Sequence, residues 1–137
     1  MLPEKKTLTL AAAKKIAGAA ESFAAANNWS VTIAVVDDGA NLVYLQRMDG
    51  ALLGTVEIAP RKARTSALFR CPTKDFETGL AGGGTSLLKL DILPYEGGVP
   101  IAADGVVVGA IGVSGGTPAQ DGQVAQAGVD SFRNTLK

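Results

Sequence analysis

The sequence predicts a single α+β domain in which helices pack against an antiparallel sheet. Two pairs of runs rich in β-branched residues each surround a short turn, which is the pattern of a β-hairpin. Segments with helical spacing of apolar residues stand before, between and after these pairs. The order helix, hairpin, helical middle, hairpin, helix is typical of an antiparallel sheet with segregated helices. A chain of 137 residues fits one folded unit, so we expect residues 1–137 to form one domain.

An amphipathic helix is predicted from Thr9 to about Asn27. Alanines and larger apolar residues recur there at steps of three and four, and two lysines lie off that stripe. The Thr9 hydroxyl can cap the first turn. Asn27 or Asn28 can adopt the left-handed conformation that ends a helix.

Two hairpins are predicted from the runs at residues 30–48 and 97–114. The first turn, at residues 37–41, is longer than two residues. The second contains Asp104 and Gly105, and an Asp-Gly pair between β-branched runs is a strong hairpin signal.

Three aspartates near the first hairpin, Asp37, Asp38 and Asp49, are interpreted as turn residues. A calcium-binding EF-hand loop needs a defined alternation of oxygen ligands, and that alternation is missing here. We therefore predict no metal site.

A second helix is predicted from Thr55 to Phe69, where small residues form a narrow stripe. Pro60 removes one backbone donor, so the helix either bends at Pro60 or begins near it. Residues 71–98 lack a sustained period and are predicted to form short helical turns and loops. The densest group of basic residues comprises Arg61, Lys62, Arg64 and Arg70. We interpret it as a solvent-exposed helix face. The alternative is a wall that faces a bound anion.

The glycines of the second hairpin are assigned two roles. Gly109 and Gly112 lie inside the predicted strand, where a missing side chain usually marks the close approach of another backbone. The turn predicted to face a ligand comprises Ser114, Gly115, Gly116 and Thr117. Thr117, Pro118 and Gln120 match a helix capping box, so free amides at this N-terminus would suit a carboxylate or phosphate.

A second turn, at Gly97, Gly98 and Pro100, begins the preceding strand. Antiparallel pairing should place it on the same rim as the first turn. Arg61 or Arg64 is the candidate opposing charge if the second helix packs there.

Charge and composition exclude several classes of partner. Thirteen basic and thirteen acidic residues cancel, which leaves no electrostatic footprint for nucleic acid or for an anionic membrane. No window approaches the roughly 18 apolar residues of a membrane span, so we expect a cytoplasmic protein. Only 19% of the residues are charged, which favours a homo-oligomer.

The sequence contains no histidine and one cysteine, Cys71. The usual general base and commonest metal ligand are therefore absent, and no intramolecular disulfide can form. A neighbouring Arg70 could activate the thiol, but no histidine can act as its base. We interpret Cys71 as an ordinary free cysteine.

Several segments resemble the GlcG/HbpS family of small haem-degrading-type domains, which also occur as the C-terminal part of PduO-type proteins. The matching segments are "LTLAAAKKIAGAA" at residues 8–20, "VTIAVVDDGANLVYLQRMDGA" at 31–51, "KARTSALF" at 62–69, "GGVPI" at 97–101 and "GVVVGAIGVSGG" at 105–116, followed by Asp121. The resemblance implies a profilin-like α+β fold with about five antiparallel strands, and a homo-oligomer.

The resemblance also implies an oligomeric ligand-binding accessory protein linked to glycolate, glycerol or diol catabolism, with haem or a corrinoid as candidate ligands. The chain departs from the haem-binding relatives that use a histidine ligand, because it has none. Besides hydroxyls, the side chains able to reach an iron are Cys71, Tyr44, Tyr95 and Met48. Two alternatives stay open. One is an enzyme acting on a small oxygenated metabolite or on haem, and the other is a purely structural assembly protein.

Overall fold

The sheet contains four strands within residues 1–136, which the computed structural model describes. The strands are β1 Thr32–Asp37, β2 Leu42–Arg47, β3 Gly98–Ala103 and β4 Val106–Ser114. All neighbouring pairs are antiparallel, and the strands lie in the order β2-β1-β4-β3. The helices are α1 Leu10–Ala26, α2 Thr55–Phe69, α3 Thr73–Ala81 and α4 Pro118–Thr135, with a 3-10 helix at Thr85–Lys89. The predicted α+β class is confirmed.

The sheet has four strands in the described residues, whereas the family resemblance implied about five. Residues 71–97 contain α3, the 3-10 helix and loops, as the missing period predicted, and Gly98 already begins β3. Pro72 is the N-cap of α3, and Gly82 ends it, so this helix is only nine residues long. Residues 83–97 form the 3-10 helix and loops without a further strand.

Helices cover both faces of the sheet, because β1 and β4 are apolar on both sides. On one face, α1 and α4 pack against a large cluster that includes Ile33, Val35, Ile101, Ile111 and Val113. On the other face, the alanines of α2 pack against a smaller cluster, Ala34, Val36 and Ala110. No helix of residues 1–136 has the length and apolar character that a membrane span requires.

Both hairpin turns have the backbone conformation or hydrogen bonds that their sequences predict. Asp104 and Gly105 have φ values of 53° and 77°, as a two-residue hairpin turn with positive φ at both positions requires. In the first hairpin the Asp37 carboxylate accepts hydrogen bonds from the amides of Gly39 and Asn41. The turn reading of Asp37 is therefore confirmed.

Both long terminal helices begin at the predicted caps. The Thr9 hydroxyl accepts a hydrogen bond from the amide of Ala12, and the capping box of Thr117 and Gln120 is complete. Helix α2 begins at Thr55 and contains Pro60 in its second turn, so the alternative that the helix begins near Pro60 is wrong.

Helix α2 lies directly on β4 because Gly112 has no side chain. A Cβ added at Gly112 would stand 2.5 Å from the Ala63 amide nitrogen and would also overlap the carbonyl of Ala59. A Cβ at Gly109 would overlap the carbonyl of Val36 on β1. The packing role predicted for both glycines is confirmed.

We predict that Gly112→Ala lowers the free energy of unfolding by at least about 2 kcal/mol, because helix α2 would have to move away from β4. Urea unfolding followed by Trp29 fluorescence measures the change. The matched control is Gly18→Ala in the interior of α1, where an added Cβ meets nothing within 4 Å. That change should stabilise the protein by about 0.5–1 kcal/mol, since alanine favours a helix more than glycine does. Equal stability of Gly112→Ala and the parent protein would contradict the packing role.

Candidate functional site

Lys62 of helix α2 is fully buried, with 0% of its side chain exposed. Its ammonium donates hydrogen bonds to the Val113 carbonyl at 2.9 Å and to Asp121 Oδ2 at 3.0 Å. The same nitrogen lies 4.9 Å from the centre of the Tyr95 ring, within range of a cation–π interaction. The buried ammonium therefore has two hydrogen-bond acceptors and one aromatic ring beside it inside the protein.

Asp121 lies in the first turn of α4, and its side chain is 2% exposed. One carboxylate oxygen accepts from Lys62, and the other accepts from the Gly116 amide at 2.8 Å. A carboxylate is favourable at a helix N-terminus, where the helix dipole and free amides are positive. The capping box at Thr117 holds the chain so that Asp121 faces back toward the turn.

Burial perturbs both members of the pair in opposite directions. Loss of hydration lowers the pKa of Lys62, and the Asp121 carboxylate partly opposes that shift. Loss of hydration likewise raises the pKa of Asp121, against the effects of the Lys62 ammonium and the Gly116 amide. Each charge therefore depends on the other for its place in the interior.

The glycines of both predicted turns lie around this ion pair. A Cβ at Gly97 would stand 2.8 Å from Lys62 Nζ, and one at Gly98 would stand 3.0 Å from the Lys62 carbonyl carbon. Gly116 contributes its amide to Asp121. Gly115 has a φ of 142°, and a Cβ there would stand 2.6 Å from the Ser30 carbonyl oxygen. These positions leave no space for a side chain, whatever the turns bind.

The two turns are neighbours, because Gly98 pairs with Gly112 and the Val113 amide donates to the Gly97 carbonyl. A cleft of about 420 Å³ opens beside the turn at Ser114. Its lining combines apolar and polar side chains with the turn backbone, and comprises Leu52, Thr55, Ile58, Leu93, Tyr95, Ser114, Gly115, Gly116 and Asp121. Asp121 of the ion pair thus belongs to the lining of a cleft that is otherwise largely apolar, whereas Lys62 lies behind it and outside the lining.

The prediction of free amides in the turn is wrong for Gly116, because its N–H donates to Asp121. The N–H of Thr117 is also taken, by the Gln120 side chain of the capping box. An internal carboxylate occupies the position in which an external anion was expected. Ser114, Gly115 and Gly116 do line the cleft, while Thr117 is the helix cap beside it.

The other predicted site residues lie away from the cleft lining. Pro100 is on β3 opposite Ala110. Arg64 donates to the Asp91 carbonyl and lies 3.4 Å from the Asp91 carboxylate, and Arg61 is exposed. Neither arginine lines the cleft beside the turn that was predicted to hold the anion.

Cys71 is partly buried, and burial raises the pKa of its thiol, with Asp75 adding to that shift. The structure therefore supports the free-cysteine interpretation over activation by Arg70.

The sequence analysis missed Lys62, which it assigned to a solvent-exposed face. The helical spacing contained the missing signal: Lys62 lies three residues after Ala59 and four before Ser66, and all three are buried. Asp121 appeared only in the family resemblance, and Tyr95 only as one of several possible iron ligands. The contacts among them join α2, α4 and the loop before β3, and single-sequence periodicity does not report such pairings.

We predict that Lys62→Met destabilises the protein by about 3–5 kcal/mol, because it leaves the Asp121 carboxylate buried without its cation. The double variant Lys62→Met with Asp121→Asn should lose less than Lys62→Met alone, since it removes both charges. Urea unfolding of the parent, single and double variants measures the coupling. Arg61→Met, one residue away on an exposed position, is the matched control and should change stability by less than about 0.5 kcal/mol. Additive losses would show that the two side chains do not act as a pair.

Comparison with known proteins shows which family this chain belongs to. A family model described as "Haem degrading protein HbpS-like" matches residues 8–130. Protein GlcG of Escherichia coli (strain K12) is 46% identical over 111 residues, which cover 80% of this chain and 83% of GlcG.

Two solved structures are similar over nearly their whole length. A double mutant of Streptomyces reticuli HbpS is 36% identical with a TM-score of 0.86, covering 94% of this chain and 89% of that one. The structure of a PduOC:Heme complex is 27% identical with a TM-score of 0.82, covering 92% of this chain and 95% of that one. On the family model and the GlcG match, the chain belongs to the HbpS-like family.

Proposed function

We propose that this chain is a homo-oligomeric binding protein for a planar, largely apolar ligand of the haem class, held in the cleft beside Ser114. The observation that carries the proposal is the cleft itself. Leu52, Ile58 and Leu93 contribute to its walls, and Tyr95 is part of the same lining. A few polar groups set in an apolar cleft are the usual composition of a small-molecule site.

Tyr95 is the residue best suited to hold an iron in this cleft. Tyr95 lines the cleft, and the residue is 45% exposed. Tyrosine is a known haem ligand, and haem would supply an iron centre and a flat apolar ring. Of the other predicted donors, Tyr44 donates its hydroxyl to Gln46, Met48 packs against the core on the α1 side, and Cys71 lies outside the cleft lining.

An exposed leucine in the cleft lining fits an apolar ligand. Leu52 is 72% exposed and lines the cleft together with Ile58 and Leu93. Exposed apolar surface of this kind usually marks an interaction site. The ion pair of Lys62 and Asp121 brings no net charge to the cleft, so the ligand is selected by shape and apolar contact.

The finer parts of the proposal follow from membership of the family. We place the protein in the cytoplasm as an accessory factor of glycolate, glycerol or diol catabolism, with a corrinoid as the alternative tetrapyrrole ligand. The description of the family model and the PduOC:Heme structure support a haem-related role through family membership. Cobalamin is therefore the second ligand to be tested beside haem.

An enzyme acting on a small oxygenated metabolite is the second candidate function. The observation that favours it is the buried Lys62 and Asp121 pair, since ionisable groups with perturbed pKa values cluster at active sites. The ammonium is enclosed, however, and has no exposed surface through which to reach a substrate. Turnover of glycolate or a diol by the purified protein would favour this candidate over the binding protein. A purely structural assembly protein would show no shift of melting temperature with any of these compounds.

We predict that Tyr95→Phe lowers the affinity for ferric haem by roughly tenfold, about 1.4 kcal/mol, because it removes the phenol oxygen. Absorbance titration measures the affinity, and the spectrum should differ from that of low-spin iron with two histidine ligands. Iron-free protoporphyrin should bind both proteins equally, since the aromatic ring remains.

Tyr44→Phe is the matched control, because Tyr44 lies on β2 and outside the cleft lining. It should leave the haem affinity unchanged. A low-spin spectrum of iron with two nitrogen ligands, or equal affinities of Tyr95→Phe and the parent protein, would contradict the assignment of Tyr95.

A further inference from the structure

The two edges of the sheet differ in whether they can accept another strand. In β3, Pro100 has no N–H, and the outward amide of Gly98 already donates to the Thr73 hydroxyl at 2.9 Å. This edge is closed to strand addition. Strand β2 forms the other edge and contains neither proline nor glycine.

Strand β2 has the properties of an edge that pairs. All six of its residues are partly or fully exposed, whereas the first five residues of the neighbouring β1 are buried. Its sequence, "LVYLQR", is rich in residues that favour strands and carries one charge, at its end. A flat, uncharged, apolar edge is a template for pairing with another chain.

The hydrogen-bond register fixes which groups of β2 are free. The Met48 amide donates to the Val31 carbonyl, so Met48 points toward β1. Backbone groups alternate along a strand, and therefore Leu45 and Arg47 direct their N–H and C=O groups away from β1. The register shift of this pair lies at the other end of the strand, between Val35 and Val36. Residues 44–48 are thus regular.

We infer that β2 of one copy pairs with β2 of a second copy, antiparallel about a twofold axis at Gln46, to form a continuous eight-stranded sheet across a dimer. This register places Leu45 opposite Arg47 of the partner copy and gives four backbone hydrogen bonds. It uses only the regular residues, and no two arginines stand directly opposite. A twofold contact of this kind closes on itself. Because the β3 edge is closed, the sheet cannot extend further through its edges.

Pairing of β2 strands would form a contact of the homo-oligomer proposed above, and this contact does not involve the ligand. No residue of strand β2 lines the cleft. A variant that loses the dimer contact should therefore still bind haem, and a variant that loses haem binding should still form the dimer. Light scattering and haem titration of the same variants separate the two proposals.

Arg47→Pro is the sharpest test, because it removes an outward N–H from an exposed edge residue and leaves the bonds to β1 in place. Light scattering should give the parent protein at least twice the 13.9 kDa mass of one chain, and Arg47→Pro half the parent's mass. Ala102→Pro removes an outward N–H from the closed β3 edge and should keep the parent's mass. A monomeric parent, or equal masses of Arg47→Pro and the parent, would overturn the inference.

If Arg47→Pro does not fold, a disulfide crosslink between two copies tests the same pairing of β2 strands. In a Cys71→Ser background, Gln46→Cys should form a disulfide-linked dimer on mild oxidation, because the two Cα atoms at the axis would be about 4.5 Å apart. Leu42→Cys is the matched control: it is exposed but four residues from the axis, so two copies would lie about 26 Å apart. Failure of Gln46→Cys to crosslink, or equal crosslinking of both variants, would refute this register.

Discussion

A lysine ammonium without solvent exposure has to find all its hydrogen-bond acceptors inside the protein, and Lys62 imposes that requirement on three separate parts of the chain. The end of β4 supplies the Val113 carbonyl, and the first turn of α4 supplies the Asp121 carboxylate. The loop before β3 supplies the Tyr95 ring, which makes a cation–π contact. Each contact depends on the others, because an unpaired charge in the interior would be costly. The ion pair therefore fixes how α2 and α4 approach the same end of the sheet.

The glycines follow from this constraint and from the close packing of α2. A helix that lies directly on a strand needs a position without a side chain, and Gly112 provides it. At the end of that strand the chain must also pass between the ion pair and β1. A side chain at Gly97 or Gly98 would collide with Lys62, and one at Gly115 would collide with the Ser30 carbonyl. The glycine-rich appearance of residues 97–116 thus has a structural cause at each of these positions.

Local signals in the sequence were sufficient for most of the fold. The Thr9 cap, the capping box at Thr117 and the Asp104-Gly105 turn are each determined by a few neighbouring residues, and each is found as predicted. The candidate site depends on pairings between residues 59 positions apart, such as Lys62 and Asp121, which no local pattern encodes. Charge alone led Lys62 to be placed on the surface, because buried lysines are rare. Its position among the buried alanines of α2 predicts its burial better than its charge does.

The internal carboxylate also decides what kind of ligand the cleft suits. A helix N-terminus with free amides would attract an external anion, but Asp121 takes the Gly116 amide and balances the Lys62 charge at once. An anionic ligand would therefore have to compete with a carboxylate that is already tethered and hydrogen-bonded. The rest of the cleft lining is mostly apolar and includes the exposed residues Leu52 and Tyr95. For the ligand proposed above, burial of apolar surface against Leu52, at about 25 cal/mol per Å², would then be the main source of affinity, and a ligand with a broad apolar face would gain most from it.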